Sequence, residues 1–364
     1  MSVRRWPRSC SVIAIAAGLL FAPIAMSPAA LAAPSGTTSL LDIRLPHPND
    51  TGVRRTLPHR IGSPASNLPS ELTTGVVLID TVVKYDEGEA AGSGFILGSN
   101  GIIVTNHHVV AGSTSVTVTV ASTGQKYPAE VLGYDSTDDV AVLQVLHISG
   151  LSTVTTNPDP VTIGQNVTSV GNALGGGELI SYNGQVTDIG VTITVTDDDG
   201  GRSVLSNLIQ VRLPLVPGDS GGPLFNSQSE VVAMNVAGAH DTAANESYCI
   251  PIETVLAVEQ SVLSGKAIPN VTIGRPAGLG ISVAPTTGSG VVVEWVLPGG
   301  PASKAGITVG STLNSLDGTA ISSAGQLGQL LAGYASGDKV TMTWTDAAGN
   351  QHSGSVTLGN APLP

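Results

Sequence analysis

The chain has 364 residues, two cysteines and a formal charge of −12. That length predicts two domains, and the acidic balance excludes nucleic acid as a partner, because phosphate contact requires clustered Lys and Arg. Cys10 falls in a cleavable leader, so Cys249 has no partner within the chain. Packing rather than a disulfide must stabilise the fold, with Cys249 expected as a buried apolar residue.

Residues 1–32 read as a secretory signal peptide: Arg4, Arg5 and Arg8 form a basic start, 12–22 an apolar core, and Ala30-Leu31-Ala32 a small-residue cleavage site. The apolar run stops at Pro23, short of the roughly 20 residues a spanning helix needs. The cleaved protein is therefore expected to be exported, with no stable membrane anchor and a charge of about −15 after loss of the three arginines. Residues 33–70, rich in Pro, Ser, Thr and Gly, read as a mobile arm. Short β-branched runs follow at 75–83, 102–105, 116–120, 140–145 and 191–195, separated by Gly, Asn and Asp, which is the pattern of an all-β barrel or sandwich. One helix closes this block, with Ile252, Val255, Leu256, Val262 and Leu263 on one face and Gly265 as its stop. After a linker at 266–276, a second block carries strands at 290–296 and 340–344 and a helix at 322–334. The run Asp197-Asp198-Asp199-Gly200-Gly201 lacks the alternating ligands and distal glutamate of a calcium loop and reads as a solvated hairpin tip.

The chemistry concentrates in the first block. Gly218-Asp219-Ser220-Gly221-Gly222-Pro223 presents a serine in a tight glycine-flanked turn. A serine hydroxyl is a weak nucleophile at neutral pH and needs a base and an acid to orient that base. Thr105-Asn106-His107-His108-Val109-Val110 supplies histidines at the end of the 102–105 strand, and Asp138-Asp139-Val140 places acids directly before an apolar strand, where a carboxylate can hold an imidazole tautomer.

The order His, Asp, Ser with these flanks resembles the trypsin-like serine proteases, and the set T-N-x-H-V, D-V-A-V-L and G-D-S-G-G-P is similar to the HtrA family, particularly its secreted actinobacterial members. Gly92-Ser93-Gly94-Phe95 and Gly171-Asn172-Ala173 support the match. The resemblance implies a mostly β fold, with a chymotrypsin-like double β-barrel protease domain over 71–265. It implies His108, Asp139 and Ser220 as the catalytic residues and the N–H groups of Gly218 and Ser220 as the oxyanion hole. Neither a cofactor nor a metal is implied. His108 is preferred to His107 because it directly precedes Val109-Val110; His107 is expected as a partly exposed neighbour, and Asp138 as a solvated turn acid. Pro214, Val216 and the strand bearing Asn235, Val236 and Ala237 are expected to contact substrate, with no acid there to receive Arg or Lys. The family implies unfolded polypeptide substrates cut after small or aliphatic residues. One departure stands out: Ile209-Gln210-Val211-Arg212-Leu213-Pro214 carries Arg212 where relatives usually carry an acid, which places the oxyanion loop in question.

Residues 277–360 resemble a PDZ domain. Gly278-Leu279-Gly280-Ile281 is similar to that family's carboxylate-binding loop, a nest of backbone N–H groups for peptide C-termini, and Pro301 to Ile307 and Asn314 to Gly318 match bacterial PDZ modules. HtrA-like trimers commonly lock through aromatic residues near the mature N-terminus, yet 33–84 contains none, so a weak homotrimer or a monomer is expected. The resulting reading is a secreted serine endopeptidase with PDZ-mediated peptide binding or regulation. The alternative is a chaperone-like peptide-binding protein with secondary or lost proteolysis, which Arg212 alone supports.

Overall fold

The structure, a computed structural model, describes residues 42–44, 63–64, 67–83, 88–196, 202–238, 245–284 and 290–363. The leader 1–32 and the acidic run 197–201 lie outside these residues. Two short strands, β1 (Asp42–Arg44) and β2 (Ser63–Pro64), come first. A barrel then forms from β3 (Val76–Val83), β4 (Gly88–Gly98), β5 (Ile102–Thr105), the one-turn helix α1 (His107–Val110), β6 (Ser113–Val120), β7 (Gln125–Asp135) and β8 (Val140–Val145). Its strand order is β7-β6-β3-β4-β5-β8, and a β7–β8 ladder closes the ring. The apolar run Val76 to Ile79 serves two cores, because successive side chains on a strand point to opposite faces. Val77 and Ile79 pack with Ile96, Ile103 and Leu143, whereas Val76 and Leu78 pack with Phe95, Val170 and Phe225 in a core shared between barrels.

The second barrel is built from β9 (Asn166–Gly171), β10 (Ile180–Thr196), β11 (Arg202–Arg212), β12 (Pro223–Phe225), β13 (Val231–Gly238) and β14 (Glu246–Pro251). Pairing runs β10-β11-β14-β13-β12-β9 and closes through β9–β10. β10 is 17 residues long, and its edge takes up both β1, in parallel, and β2, antiparallel. Two pieces of the span expected as a mobile arm are thus paired strands, because an open sheet edge offers unpaired N–H and C=O groups to any nearby extended segment. Helix α2 (Ile252–Ser264) follows, and Gly265, at φ +69°, ends it by turning its N–H back onto the last turn. Ile252, Val255, Val258 and Val262 form the buried stripe. Leu263, expected on that face, is 47% exposed: it lies one residue, about 100° of helix, beyond Val262.

The stretch 266–276 is more than a linker. Within it β15 (Val271–Ile273) pairs antiparallel with β7 at Gly133 to Asp135, and Val271 is buried in the core that also contains Val262. The C-terminal block contains β16 (Ala277–Gly278), β17 (Ile281–Val283), β18 (Val291–Val296), α3 (Pro301–Ala305), β19 (Thr312–Leu316), β20 (Thr319–Ala320), α4 (Ala324–Leu331), β21 (Lys339–Thr345), β22 (Gln351–Thr357) and β23 (Gly359–Asn360). It encloses its own core of Leu279, Val293, Leu313, Met342, Trp344 and Val356. Ser323 caps α4 by accepting the Gln326 N–H, which sets the start of a helix shorter than the 322–334 expected.

Candidate active site

His108 and Asp139 come from the first barrel and Ser220 from the second. β5 is buried along its whole length and delivers the chain into α1. A four-residue helix has too few internal hydrogen bonds to hold itself, so its start is pinned from outside. The Asp139 carbonyl accepts the His107 N–H at 3.2 Å and Asn106 Nδ2–H at 3.0 Å. Asp139 Oδ1 accepts the His108 backbone N–H at 2.9 Å, and Oδ2 meets His108 Nδ1 at 2.7 Å. Asp139 is 4% exposed and adopts φ +54°, a left-handed conformation that costs a non-glycine residue of order 1–3 kcal/mol. A carboxylate at this position accepts from Nδ1–H, which selects the neutral tautomer whose Nε2 keeps its lone pair.

His107 departs from expectation. It is buried at 8% exposure and stacks on Tyr134 with ring centroids 4.8 Å apart, because on α1 the two adjacent histidines project about 100° apart and only one faces the cleft. Asp138 is half-buried rather than solvated: its N–H bonds Asp135 Oδ1, and burial together with the Asp135 charge raises its carboxyl above the usual value.

The Ser220 turn is held by its carbonyls. Pro217 C=O accepts the Leu174 N–H at 2.6 Å, Gly218 C=O accepts Ser93 Oγ–H at 2.6 Å, and Ser220 C=O accepts the Ser93 N–H at 2.9 Å. In a trans peptide unit the N–H points opposite to the preceding C=O. Anchoring Pro217 C=O on Leu174 therefore fixes the direction of the Gly218 N–H. Neither that N–H nor the Ser220 N–H has an acceptor among the described residues. Gly218 sits at φ +93°, and a Cβ there would overlap the Asn172 carbonyl oxygen, so the loop requires glycine. A Cβ at Gly221 would overlap Thr105 Oγ1 and meet Asn106 N at 3.2 Å, which shows how closely the turn packs against the residues leading into α1. The Ser220 hydroxyl donates to the Val236 carbonyl at 3.3 Å; bonds between nucleophile and base are often completed only when substrate is bound.

No role at the turn was expected for Ser93 or Leu174, yet each acts on it through a bond to a residue far away in the chain. Asn235, expected to touch substrate, is fully buried beneath the turn instead. Its Nδ2–H groups reach Ser169 Oγ at 2.9 Å and the Asp219 carbonyl at 3.4 Å. Val236 is also buried and offers the cleft its carbonyl, and Ala237 continues the strand opposite Tyr248. Pro214 and Val216 are half-buried and alternate with buried Leu213 and Leu215, whose backbones Ser247 Oγ bridges. Arg212 is exposed at the end of β11, in register with Gln185 and Glu246. Among the described residues no hydrogen bond or ion pair joins it to the turn itself, and the carbonyl anchors of 217, 218 and 220 come from other segments. Cys249 is fully buried, with its thiol pushed up by burial.

Asp219 lies between the two candidate oxyanion donors and is fully buried. Its Oδ2 accepts the Val216 N–H at 2.9 Å, while Oδ1 has no hydrogen-bond partner among the described residues. Burial, only partly offset by that bond, raises its carboxyl from 3.8 to about 7. The folded chain thus holds this proton more tightly than the unfolded chain, so its contribution to stability declines as pH rises from about 4 to about 7 and is level above. Asp219→Asn, a neutral mimic of the protonated acid, is expected to raise Tm at pH 8, with the gain vanishing toward pH 4; thermal denaturation of both proteins across that range measures it.

In the C-terminal block, Leu279 C=O accepts the Ala302 N–H and Gly280 C=O the Leu297 N–H, both at 2.9 Å. By the same peptide geometry, the N–H groups of Gly280 and Ile281 point away from those partners. Gly278 lies on β16, Leu279 is buried, and Gly280 turns at φ +67°.

Two closed six-strand barrels followed by this smaller β module define a trypsin-like peptidase domain joined to a PDZ domain. Family models agree: a trypsin-like peptidase domain matches residues 92–234 and a PDZ domain matches 292–345. The serine protease PepD of Mycobacterium tuberculosis is 30% identical over 319 residues, 82% of this chain and 68% of that protein. A probable periplasmic serine endoprotease, DegP-like, of Ectopseudomonas mendocina is 32% identical over 297 residues, 77% of this chain but 58% of that protein. The solved HtrA-type protease AlgW with tripeptide aligns with 81% of this chain and 96% of its own, at 23% identity and a TM-score of 0.47. The chain belongs to the HtrA-like serine proteases that carry a PDZ domain.

Proposed function

We propose that the chain is an exported serine endopeptidase that hydrolyses unfolded polypeptides, with Ser220 as nucleophile, His108 as general base and acid, and Asp139 as the group that fixes the histidine. The observation that carries this reading is the 2.7 Å bond from His108 Nδ1 to Asp139 Oδ2 beside a serine turn whose Gly218 and Ser220 N–H groups are unused among the described residues. His108 Nε2 takes the Ser220 proton as Oγ attacks the scissile carbonyl, then delivers it to the leaving amine, and water repeats the cycle on the acyl-enzyme. The negative oxygen formed at each step accepts from the Gly218 and Ser220 N–H groups. Pro214 and Val216 supply an uncharged wall suited to small or aliphatic side chains, and the Val236 carbonyl accepts from the substrate backbone once Ser220 turns to His108. At the PDZ domain, the Gly280 and Ile281 N–H groups receive a peptide carboxylate, with the peptide lying between β17 and α4. Export rests on the leader at 1–32 and on relatives named as periplasmic; no helix among the described residues is long and apolar enough to cross a membrane.

The test compares the parent protein with Ser220→Ala on unfolded casein, and labels both with a fluorophosphonate. Cleavage and labelling by the parent alone are expected, with the substitution costing at least about 10⁴ in kcat. Equal cleavage by both proteins overturns the assignment.

A further inference from the structure

The far end of the PDZ domain returns to the protease. After β23 the chain leaves the PDZ core, and Leu363 is 3% exposed within the interior core of the first barrel, alongside Val110, Val116 and Ala129. Its backbone is bonded there too: Leu363 C=O accepts the Gly112 N–H at 2.8 Å, and Leu363 N–H donates to Ser113 C=O at 3.4 Å. Arg275, just before β16, braces the same corner, donating to Ser113 C=O and, through Nε at 3.4 Å, to Ala361 C=O. Ala361 N–H in turn reaches Pro276 C=O at 2.9 Å.

Gly112 and Ser113 follow α1 after its C-cap Ala111, and the four residues of that helix cannot stand alone. Asp139 pins the start of that helix, and the Gly112–Leu363 bond pins the segment leaving it. We infer that residues 361–363 form a latch, with Leu363 as a positioning residue that fixes the far end of the His108 helix and thereby joins the PDZ domain to the candidate base. The strands that carry the latch, β16 and β23, pair with each other, and β16 runs directly into Leu279 and Gly280. The inference rests on the triad reading for its kinetic consequence, but its structural claim stands apart from activity.

The test uses the full chain as parent, Leu363→Ala and Leu363→Met, the last keeping side-chain volume. Two readouts are taken: the low-field proton resonance of the His108 Nδ1–H bonded to Asp139, with amide exchange at Gly112, and kcat and KM on a peptide substrate. In Leu363→Ala the resonance is expected to broaden or vanish, Gly112 exchange to accelerate, and kcat to fall about 10-fold or more with KM nearly unchanged; Leu363→Met should restore all three. A folded Leu363→Ala protein with parental resonance and Gly112 exchange overturns the latch, as does an equal loss in Leu363→Met. A drop in Tm with kcat and resonance unchanged also overturns it, since that is the mark of a merely structural leucine. If the parent fails to cleave or label, the function assignment falls, while resonance and exchange still decide the latch.

Discussion

Asp139→Asn is expected to lower kcat by roughly 10⁴ at neutral pH, with KM nearly unchanged and stability close to parental. The reason lies in how the two carboxylate oxygens are used. Oδ1 is held by the His108 backbone N–H at 2.9 Å, and Oδ2 faces His108 Nδ1 at 2.7 Å. An asparagine must keep its only oxygen on the backbone N–H, so its NH₂ takes the Oδ2 position and points a donor at Nδ1. The imidazole answers by moving its proton to Nε2, where it can no longer accept the proton of Ser220. The fold should tolerate the change: φ at 139 is +54°, a region that asparagine enters more easily than most residues, and the carbonyl that holds Asn106 and His107 is untouched. Steady-state kinetics with thermal denaturation on the same preparations measures this. A kcat within 10-fold of the parent would mean that Asp139 does not set the tautomer.

The elements that form the candidate site were legible in the sequence because each is local. A buried strand, its end and the residue that follows sit within a few positions, so Thr105 to Val110, Asp139-Val140 and the Ser220 turn each stood out as a local motif, their joint order rather than any one alone marking the candidate site, and β5 and β8 have the bounds their β-branched runs predict. What was not legible depends on partners far along the chain. Ser93 Oγ and Gly218 are 125 residues apart, and nothing near Ser93 announces that bond beyond the flanking Gly92 and Gly94, whose Cβ positions Val109 and the Val104 carbonyl already fill. His107 read as partly exposed because the ring it stacks on, Tyr134, lies on a different strand. Leu363, beyond the 277–360 span read as a PDZ domain, was given no role because a barrel core built mainly of residues 77–145 gives no sign of it at position 363. Asn235 misled for a related reason: strand alternation says that it and Val236 face opposite ways, but not which side is the cleft.

Gly218→Ala is expected to cost about 10²–10³ in kcat through loss of one oxyanion donor, and it tests a principle used twice in this molecule. At Pro217 and again at Leu279 and Gly280, a carbonyl is tied back by a neighbouring N–H so that the next N–H projects away from that tie. Each candidate anion site is thus shaped by securing the acceptors rather than by aiming the donors. At 218 the arrangement requires φ +93° and an open space that the Asn172 carbonyl would otherwise contest. A methyl group there must push the 172–175 segment away or flip the peptide, and either movement breaks the Leu174–Pro217 bond that sets the direction of the Gly218 N–H. His108 and Asp139 belong to the other barrel, so their bond should survive. The expected signature is a fall in kcat and in the affinity of a peptide aldehyde, with the low-field His108 proton retained. Parental kcat in Gly218→Ala would show that this N–H does not stabilise the developing oxyanion, and loss of the His108 resonance would show that the turn and α1 move as one unit.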